Sequence, residues 1–498
     1  MSPKITASML YDYVTCPHRL VKDLFEDPAL RDPVSPFVQM LWESGNLHEA
    51  DVVQDLEIPF LNLSTLTGDE REKRTSIAME EQVQLIYGGR ISSDNLLGDP
   101  DLLRFESTGY IAGDIKSGSG EDSSDNAKTT YAMQLGLYTD ILERKGVLPS
   151  RSAFIWDIHG QEVSYDFNAQ YGKRNPTTLW KQYELALAEV GNLVDRVSQN
   201  RPAFVSECTK CHWYTTCLSE LEQDDDLTLI PRLGRKLRDV MSDDISNIQD
   251  LAEITPEHYI QGKKTKFPGI SPTGLVKFNR RAMLIKQGEQ AQPYLTTDIY
   301  LPETHLELFF DIEVDPMRDF CYLHGFVERT AGEESSEKFV YFFAEEITPD
   351  AEQAVFRQAY EYMTSNTSCS IYFYSKYERT IYRKLQSKYP SVCSSDDIEN
   401  LFDPSSAIDL YFDVVVKSTE WPTRDHSIKT LATFLGFAWR DQHPSGAASI
   451  EWFDNWVNSG DESIKTRILE YNEDDCRATR VLLDKLKELK VEKFKEDV

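Results

Sequence analysis

Apolar residues in the first part of the chain change their spacing twice. The segment begins with helix-like periodicity and then passes through the short β-rich stretches IYGGRI, DLLRFE and GYIAGDIK. It returns to an amphipathic helix in TTYAMQLGLYTDILERKG. Helices that flank a few strands predict an α/β domain, and the acidic run Asp224, Asp225, Asp226 marks its end. We therefore place the first domain at residues 1–222.

Two further segments follow this domain. The stretch LIPRLGRKLRDVMSDDISNIQDLAEI predicts two short helices around a turn, similar to a helix-hairpin-helix, in a connecting module at 223–300. From about residue 305 the strands LELFFDIEV, CYLHGFVE and FVYFFAE, a helix, the strand CSIYFYS and more helices predict a second α/β domain at 301–498. The fold class expected is thus α/β and multidomain.

Composition changes this picture little. The 498 residues suit about three domains, and 40% hydrophobic residues without an apolar run of roughly 20 residues predict a soluble protein with no membrane partner. The N-terminus lacks the features of a signal peptide, so a cytoplasmic location is expected. A net charge of -30 argues against a polyanionic partner. The argument is weak, because a basic groove can be local and nucleases need clustered carboxylates.

Four cysteines have the pattern of a metal site. Cys208, Cys211 and Cys217 form a Cys-x2-Cys-x5-Cys cluster in CTKCHWYTTC, and Cys16 in YDYVTCPHRL is the expected fourth thiolate. Four thiolates suit either a tetrahedral zinc ion or a 4Fe-4S cluster, and the spacing alone does not choose between them. The remaining cysteines are isolated and are expected to be ordinary buried residues: Cys321, Cys369, Cys393 and Cys476.

Between these cysteines lies a second set of polar residues. Asp114 and Lys116 in GYIAGDIKSG are two apart on a predicted strand, so their side chains share a face. Asp101 in GDPDLL opens the neighbouring strand, where its carboxylate can share a Mg2+ or Mn2+ ion with Asp114. Such an ion polarises a phosphate and acidifies a water molecule, while an ammonium steadies the developing charge. This pattern predicts phosphodiester hydrolysis.

Three more residues complete the predicted site. His48 in GNLHE can add an imidazole to the metal shell, and Mn2+ tolerates nitrogen better than Mg2+ does. Gln134 and Tyr138 in QLGLY are one helical turn apart, so both can contact the DNA backbone or a base. Each residue alone is more often a surface or packing residue, and the prediction depends on the ordered set.

This set resembles the RecB-like PD-(D/E)XK nucleases that carry iron–sulfur clusters, including the CRISPR-associated members. The shared motifs are the early cysteine, GxxHE, G-x-PD, DxK, QxxxY and the Cys-x2-Cys-x5-Cys tail, over roughly residues 1–220. The resemblance implies a restriction-endonuclease-like fold and a 4Fe-4S cluster rather than zinc. It also implies DNA with single-stranded character as the substrate, usually degraded from an end.

The C-terminal domain carries its own acidic pattern. Asp311 and Glu313 in LELFFDIEV share one face of a strand, and Tyr471 and Asp475 in YNEDDCRAT share one face of a helix. They resemble the DEDD exonucleases of the ribonuclease-H-like fold, whose four acids hold two metal ions.

One of these four acids departs from the family pattern. The third acid is Glu378 in YFYSKYERT, where the family has an aspartate, and its longer side chain would displace the carboxylate. Two alternatives follow: Asp409 or Asp474 substitutes for it, or the domain only binds nucleic acid. The whole domain order resembles bacterial RecB-like two-nuclease proteins. No GxxxxGK[ST] phosphate loop is found, so no ATP-driven motor is implied, and a helicase or defence-system protein is a candidate partner.

The connecting module is locally basic. Aromatic residues between the cations suit phosphate contact and base stacking, although a solvated loop is the plainer interpretation. The residues are Lys263, Lys264, Lys266, Lys277, Arg280, Arg281 and Lys286, with Phe267 and Phe278.

The motifs lead to one main functional hypothesis and two alternatives. The main hypothesis is a Mn2+- or Mg2+-dependent DNA nuclease, acting in repair, defence or CRISPR-related processing. The alternatives are a non-catalytic nucleic-acid-binding or redox-sensing protein and an RNA-processing enzyme that acts through the C-terminal domain.

Overall fold

The computed structural model describes residues 3–492 except 57, 123–125, 172–175, 199 and 367. The chain divides into two compact units, residues 1–220 and 221–498. The segment that we assigned to a connecting module therefore groups with the C-terminal residues, and the three-domain division stays a prediction.

The first unit is built around a six-stranded sheet in the order β2-β3-β6-β7-β8-β9 and a three-stranded sheet in the order β1-β5-β4. Its strands are β1 (Ile5–Thr6), β2 (Leu61–Asn62), β3 (Leu85–Tyr87), β4 (Ile91–Ser93), β5 (Leu96–Gly98), β6 (Leu102–Glu106), β7 (Gly109–Ile115), β8 (Ser152–Trp156), β9 (Glu162–Asp166), β10 (Gln170–Tyr171) and β11 (Thr177–Thr178). The helices from here to residue 223 are α1 (Ala7–Thr15), α2 (Pro17–Phe25), α3 (Pro36–Gln54), α4 (Gly68–Glu80), α5 (Thr129–Arg144), α6 (Leu179–Val194) and α7 (Tyr214–Gln223).

Strand β7 and helix α5 form the centre of this unit. All seven residues of β7 are buried, as expected for a mostly apolar strand covered on both faces. Helix α5 buries ten residues, among them Leu135, Leu137 and Ile141, which belong to the main core cluster. The predicted strands DLLRFE and GYIAGDIK are β6 and β7, and the predicted helix is α5. A rigid centre of this kind can hold polar side chains at the end of β7 in a fixed geometry.

The second unit contains a five-stranded sheet in the order β17-β16-β15-β18-β19 and two short two-stranded sheets, β12-β13 and β14-β20. Its strands are β12 (Ile260–Gln261), β13 (Lys264–Thr265), β14 (Tyr294–Leu295), β15 (Leu306–Asp315), β16 (Phe320–Thr330), β17 (Lys338–Phe343), β18 (Cys369–Phe373), β19 (Ala407–Asp409) and β20 (Thr419–Glu420). Its helices are α8 (Arg235–Met241), α9 (Ile248–Glu253), α10 (Pro272–Gln287), α11 (Pro349–Ser365), α12 (Tyr377–Lys388), α13 (Ser395–Leu401), α14 (Val416–Ser418), α15 (Ile428–Phe434), α16 (Gly446–Ser459) and α17 (Glu462–Glu488).

Strand β15 is central in this sheet. It pairs antiparallel with β16 and parallel with β18, so helices on the faces cover apolar side chains from both sides. Phe310 and Leu308 enter one core cluster and Phe309 enters another, as alternation along a strand requires. Every strand and helix predicted from residue 305 onwards has its counterpart here, and the two short helices predicted after the acidic run are α8 and α9.

Within the described part of the chain, none of the helices combines the length and apolar character needed to cross a membrane.

A substitution at the start of β7 tests how closely the backbone of the first unit is packed. A Cβ atom on Gly109 would lie 2.0 Å from the carbonyl oxygen of Val147, a backbone atom that cannot rotate away. We expect Gly109→Ala to lower the free energy of unfolding by about 1–3 kcal/mol in chemical denaturation, because the backbones must separate. Gly191→Ala is the control, since its Cβ would meet nothing closer than 3.9 Å. Equal stability of the two variants would contradict this packing.

Candidate metal centres and the cysteine cavity

The end of β7 brings two carboxylates and one ammonium together in the first unit. Asp101 directly precedes β6, and the pairing of Leu102 with Gly113 places it beside Asp114. The backbone N–H of Ile115 donates to Oδ2 of Asp101 at 2.9 Å, and the N–H of Asp101 donates to Oδ1 of Asp114 at 3.3 Å. Lys116 places its Nζ 2.9 Å from Oδ2 of Asp114 and 4.0 Å from Oδ2 of Asp101.

The pKa values of Asp101 and Lys116 are both raised. Burial, followed by the charge of Asp114, raises the pKa of Asp101 to about 8. Burial opposes the charge on Lys116, but the carboxylates of Asp114 and Asp101 outweigh it and raise the pKa of the ammonium. The Asp101 carboxyl thus holds a proton near neutral pH, and a divalent cation that binds here would displace this proton.

Helix α3 carries two further polar residues, the predicted ligand His48 and Glu49. Nε2 of His48 is buried and has no hydrogen-bond partner among the described residues, which is costly unless another ligand is present. Gly45, one turn earlier on α3, lies beside Ser117, so this helix passes the end of β7. Glu49 accepts a hydrogen bond from the hydroxyl of Tyr87 at 2.9 Å, and its charge adds to the raised pKa of Asp101.

Glu49 was not among the acids predicted from the sequence for this site. The motif GNLHE contained it, but helical spacing alone gives no reason to prefer Glu49 over the other acids of α3.

Tyr138 and Gln134 differ in what they can contact. Tyr138 is only 4% exposed, and its ring packs so closely against Gly98 that a Cβ there would lie 2.6 Å away. Its hydroxyl donates to the carbonyl of Asp99 at 3.4 Å, and burial raises its pKa. Tyr138 therefore supports the loop before Asp101, and the expected DNA contact by this residue is corrected. Gln134 is partly exposed on the same helix.

The four motif cysteines line one cavity. Cys16 follows α1, Cys208 lies in a 3-10 turn, Cys211 follows that turn, and Cys217 lies on α7. Apolar residues such as Ala203 and Trp213 also line the cavity. Burial raises the pKa of the Cys211 thiol and raises the pKa of Cys217 to about 12, so a bound metal would have to displace these protons.

All eight cysteines are described, and each carries a thiol rather than a disulfide. The isolated ones are buried, as expected: Cys321, Cys369, Cys393 and Cys476.

A second acidic group forms at the centre of the five-stranded sheet. Asp311 and Glu313 project from β15, and Asp475 projects from α17, which packs on that strand. One ligand atom from each lies within 4.8 Å of the others. Among the described residues this is the only such group of three metal-binding side chains, and carboxylate oxygens are the ligands that Mg2+ and Mn2+ prefer.

Hydrogen-bond donors surround this acidic group. Asn472 donates from Nδ2 to Oδ2 of Asp311 at 2.7 Å, and Trp439 donates from Nε1 to Oδ1 of Asp475 at 2.8 Å. Lys429 on α15 places Nζ 2.8 Å from the hydroxyl of Tyr471 and 3.4 Å from Oδ1 of Asp475.

The acidic charges remain strongly coupled despite these donors. Burial, followed by the neighbouring Asp475, raises the pKa of Glu313 to about 8, and the same causes raise that of Asp311 well above its usual range. None of the three donors, Asn472, Trp439 and Lys429, was predicted from the sequence.

The candidate fourth acids have other partners. Glu378 is buried, which raises its pKa to about 8, and its carboxylate lies 3.5 Å from Oγ of Ser375. It is near enough to raise the pKa of Asp311 but is not part of the group of three. Asp409 accepts from two backbone N–H groups of a π-helical turn, and Asp474 binds Arg440 at 2.8 Å. Neither aspartate belongs to the group of three, and the expected substitution by either one stays a prediction.

Most of the basic side chains near 263–286 form ion pairs or hydrogen bonds within the protein. Arg281 is 2% exposed, and its guanidinium donates to Glu420 and to the carbonyl of Pro231, so its expected contact with nucleic acid is wrong. Lys277 also binds Glu420, at 3.1 Å.

The other residues of this segment divide between paired and exposed positions. Lys266 and Lys286 pair with aspartates, and Phe267 and Phe278 are buried, so these aromatics do not stack on bases. Lys263 and Lys264 are exposed, and Arg280 lines a surface groove.

Two family models match this chain. Residues 15–218 match the PD-(D/E)XK nuclease superfamily, and residues 308–487 match the RNase_H superfamily. No curated protein gives a significant match. The chain therefore combines an N-terminal PD-(D/E)XK domain with a C-terminal RNase H-like domain, with helices in between, and the predicted fold class is confirmed. Both superfamilies are nucleases, and the first match spans all four motif cysteines.

The raised pKa of Asp101 predicts how metal binding depends on pH. Below a pKa of about 8 the carboxyl holds a proton that a cation must displace. In an Asp311→Asn/Glu313→Gln variant, which isolates the first site, we expect the Mn2+ affinity to rise roughly tenfold from pH 6.5 to 7.5 and to level off above 8. Calorimetry in two buffers would detect the released proton. An affinity independent of pH would contradict the assignment of Asp101 as a ligand.

Proposed function

We propose that this protein is a metal-dependent nuclease that hydrolyses phosphodiester bonds of DNA at its N-terminal site, on single strands or ends. The observation that carries the proposal is the cluster of Asp101, Asp114 and Lys116 at the end of β7, with the ammonium 2.9 Å from one carboxylate. This is the donor set that a hard divalent cation and a phosphate require together.

Each residue has a distinct role in this proposal. Asp101 and Asp114 hold Mn2+ or Mg2+, and the unsatisfied Nε2 of His48 supports it as a third ligand. The bound cation supplies polarisation of the phosphate and acidification of the attacking water. Lys116 stays protonated, orients that water and stabilises the negative charge on the phosphoryl oxygens. Gln134 contacts the strand, while Tyr138 holds the loop before Asp101.

A second nuclease centre in the C-terminal domain is supported by a separate observation. The ligand atoms of Asp311, Glu313 and Asp475 already converge within 4.8 Å, which is close enough to bind one cation. This observation favours RNA or DNA cleavage by the C-terminal domain as the second candidate function.

The cysteine cavity supports a 4Fe-4S cluster as a structural clamp of the N-terminal domain. All four motif cysteines line that cavity, and the motifs that contain them resemble those of nucleases with 4Fe-4S clusters. Because Cys16 and Cys217 lie at opposite ends of the domain sequence, the cluster would contribute directly to folding.

The exposed Lys263 and Lys264 support a weak contact with the nucleic-acid backbone outside the two centres. The cytoplasmic location and a helicase or defence-system partner remain part of the same proposal.

Replacing Lys116 tests the N-terminal site. We expect Lys116→Met to slow Mn2+-dependent cleavage of end-labelled single-stranded DNA by roughly 10²- to 10³-fold, because one charge-stabilising donor is lost. The measurement is made in an Asp311→Asn background, so that the second centre does not contribute.

Lys145→Met is the matched control, since Lys145 is an exposed lysine at the end of α5. A cleavage rate that Lys116→Met leaves unchanged, or one that falls equally in both variants, would overturn the assignment.

Removing one motif cysteine tests the cluster. Protein purified without oxygen is expected to contain iron and sulfide in equal amounts, and Cys211→Ser is expected to lose most of both together with thermal stability. Cys393→Ser, at an isolated buried cysteine, should retain them. Zinc in place of iron, or iron unaffected by Cys211→Ser, would contradict the cluster.

A further inference from the structure

A groove in the first unit leaves a tryptophan side chain exposed to solvent. The groove has a volume of about 480 Å³, and its walls are α1, residues 32–42 and residues 209–215. Trp42, which lines it from α3, is 59% exposed. None of the 19 residues of α3 is buried, although the helix carries large apolar side chains such as Phe37 and Leu41. A large ring that lines a groove is typical of a site that binds a flat ligand.

Helix α3 connects this groove with the N-terminal metal site. Trp42, Gly45 and Glu49 share one face of the helix, because they are three and four residues apart. A Cβ atom on Gly45 would lie 3.6 Å from Oγ of Ser117, which follows the end of β7. The charge of Glu49 adds to the raised pKa of Asp101. Trp42 and Glu49 are about 10 Å apart along the helix axis, so a ligand that covers Trp42 lies next to the metal site.

A row of aromatic rings and cations also leads from the groove to Lys116. Tyr11 lines the groove from α1. Burial raises the pKa of Tyr131 on α5, and the nearby phenol of Tyr11 adds to this rise. The ring centroid of Tyr131 lies 6.0 Å from Nζ of Lys116 and 5.2 Å from Nζ of Lys128. Aromatic rings beside cations are the combination that binds single-stranded nucleic acid.

The polar residues of the groove leave one lysine without an acidic partner. Arg19 pairs with Asp12 at 3.3 Å, and Asp32 accepts a hydrogen bond from the backbone N–H of Thr215 at 2.9 Å. Lys210 is exposed and forms no ion pair with any residue that the structure describes. In a chain with a net charge of -30, such a lysine is well placed to contact a phosphate.

We propose that this groove binds single-stranded DNA, with one nucleobase stacked on Trp42 and a backbone phosphate at Lys210, and leads the strand to the N-terminal metal site. This inference rests on the proposed nuclease function. Stacking on a side chain requires a base that has left the duplex stack, so the groove selects single strands over duplexes. A stable protein partner would need about 800 Å² of surface on each side, whereas a groove of this size accepts a flat ring.

Binding is tested in an Asp114→Asn/Asp311→Asn background, which removes one ligand from each metal centre so that the strand is not cut. The measurement is fluorescence anisotropy of a dye-labelled single-stranded DNA oligonucleotide. We expect Trp42→Ala to weaken binding roughly 10- to 100-fold, as the loss of one stacked base requires, and Trp42→Phe to retain most of the affinity. Leu47→Ala is the control, because Leu47 is a 65% exposed apolar residue of α3 that does not line the groove.

A strand of abasic nucleotides separates stacking from phosphate contact, because it keeps the phosphates and lacks the bases. We expect Trp42→Ala to leave the affinity for this strand unchanged. Lys210→Gln is expected to weaken the binding of both strands and to make the dependence of log K on log salt concentration shallower by about 0.7, the value for one phosphate contact of a single strand.

Three outcomes would overturn the proposal: an affinity for the ordinary strand that Trp42→Ala leaves unchanged, an equal loss in Leu47→Ala, or equal effects of Trp42→Ala on the ordinary and the abasic strand. Failure of the nuclease function is distinct from these outcomes. In that case the unaltered protein would not cut DNA in the presence of Mn2+, whereas the binding measurement does not depend on cleavage.

Discussion

Repulsion between buried carboxylates is the constraint on which both centres depend. Moving one carboxylate out of water is costly, and placing a second or third within a few ångströms adds Coulomb repulsion that the low-dielectric interior does not screen. In each domain a lysine offsets part of this repulsion, and a divalent cation would offset the rest. The groups are Asp101, Asp114 and Lys116 in the first unit, and Asp311, Glu313, Asp475 and Lys429 in the second.

Both folds hold their acids close together in the same way. In each, a fully or nearly fully buried central strand carries an acid where the sheet meets solvent, and backbone pairing fixes its direction. In the first unit the neighbouring strand supplies the second acid, and in the second unit a long helix supplies the third. The apolar core on both faces keeps the acids from moving apart, so the acids take up protons until a cation displaces them, and their pKa values are raised.

Short-range spacing made much of this predictable. Two-residue alternation on a strand placed Asp114 beside Lys116, and the pattern of strands and helices identified both folds. Contacts between distant segments carry no such signal: Lys429 and Asp475 are neighbours only because α15 packs near α17. The nucleic-acid contact predicted for Arg281 was wrong for a related reason. Arg281 is buried and paired with Glu420, a partner that sequence spacing does not indicate.

The most direct test of the account compares four proteins: the unaltered chain, Asp114→Asn, Asp311→Asn and the double variant. Each is assayed with Mn2+ on end-labelled single-stranded DNA under anaerobic conditions. The account predicts cleavage by the unaltered protein, most of it lost in Asp114→Asn, the remainder lost only in the double variant. Cleavage by the double variant would contradict the central claim that these carboxylates hold the metal ions at which the phosphodiester bond is broken.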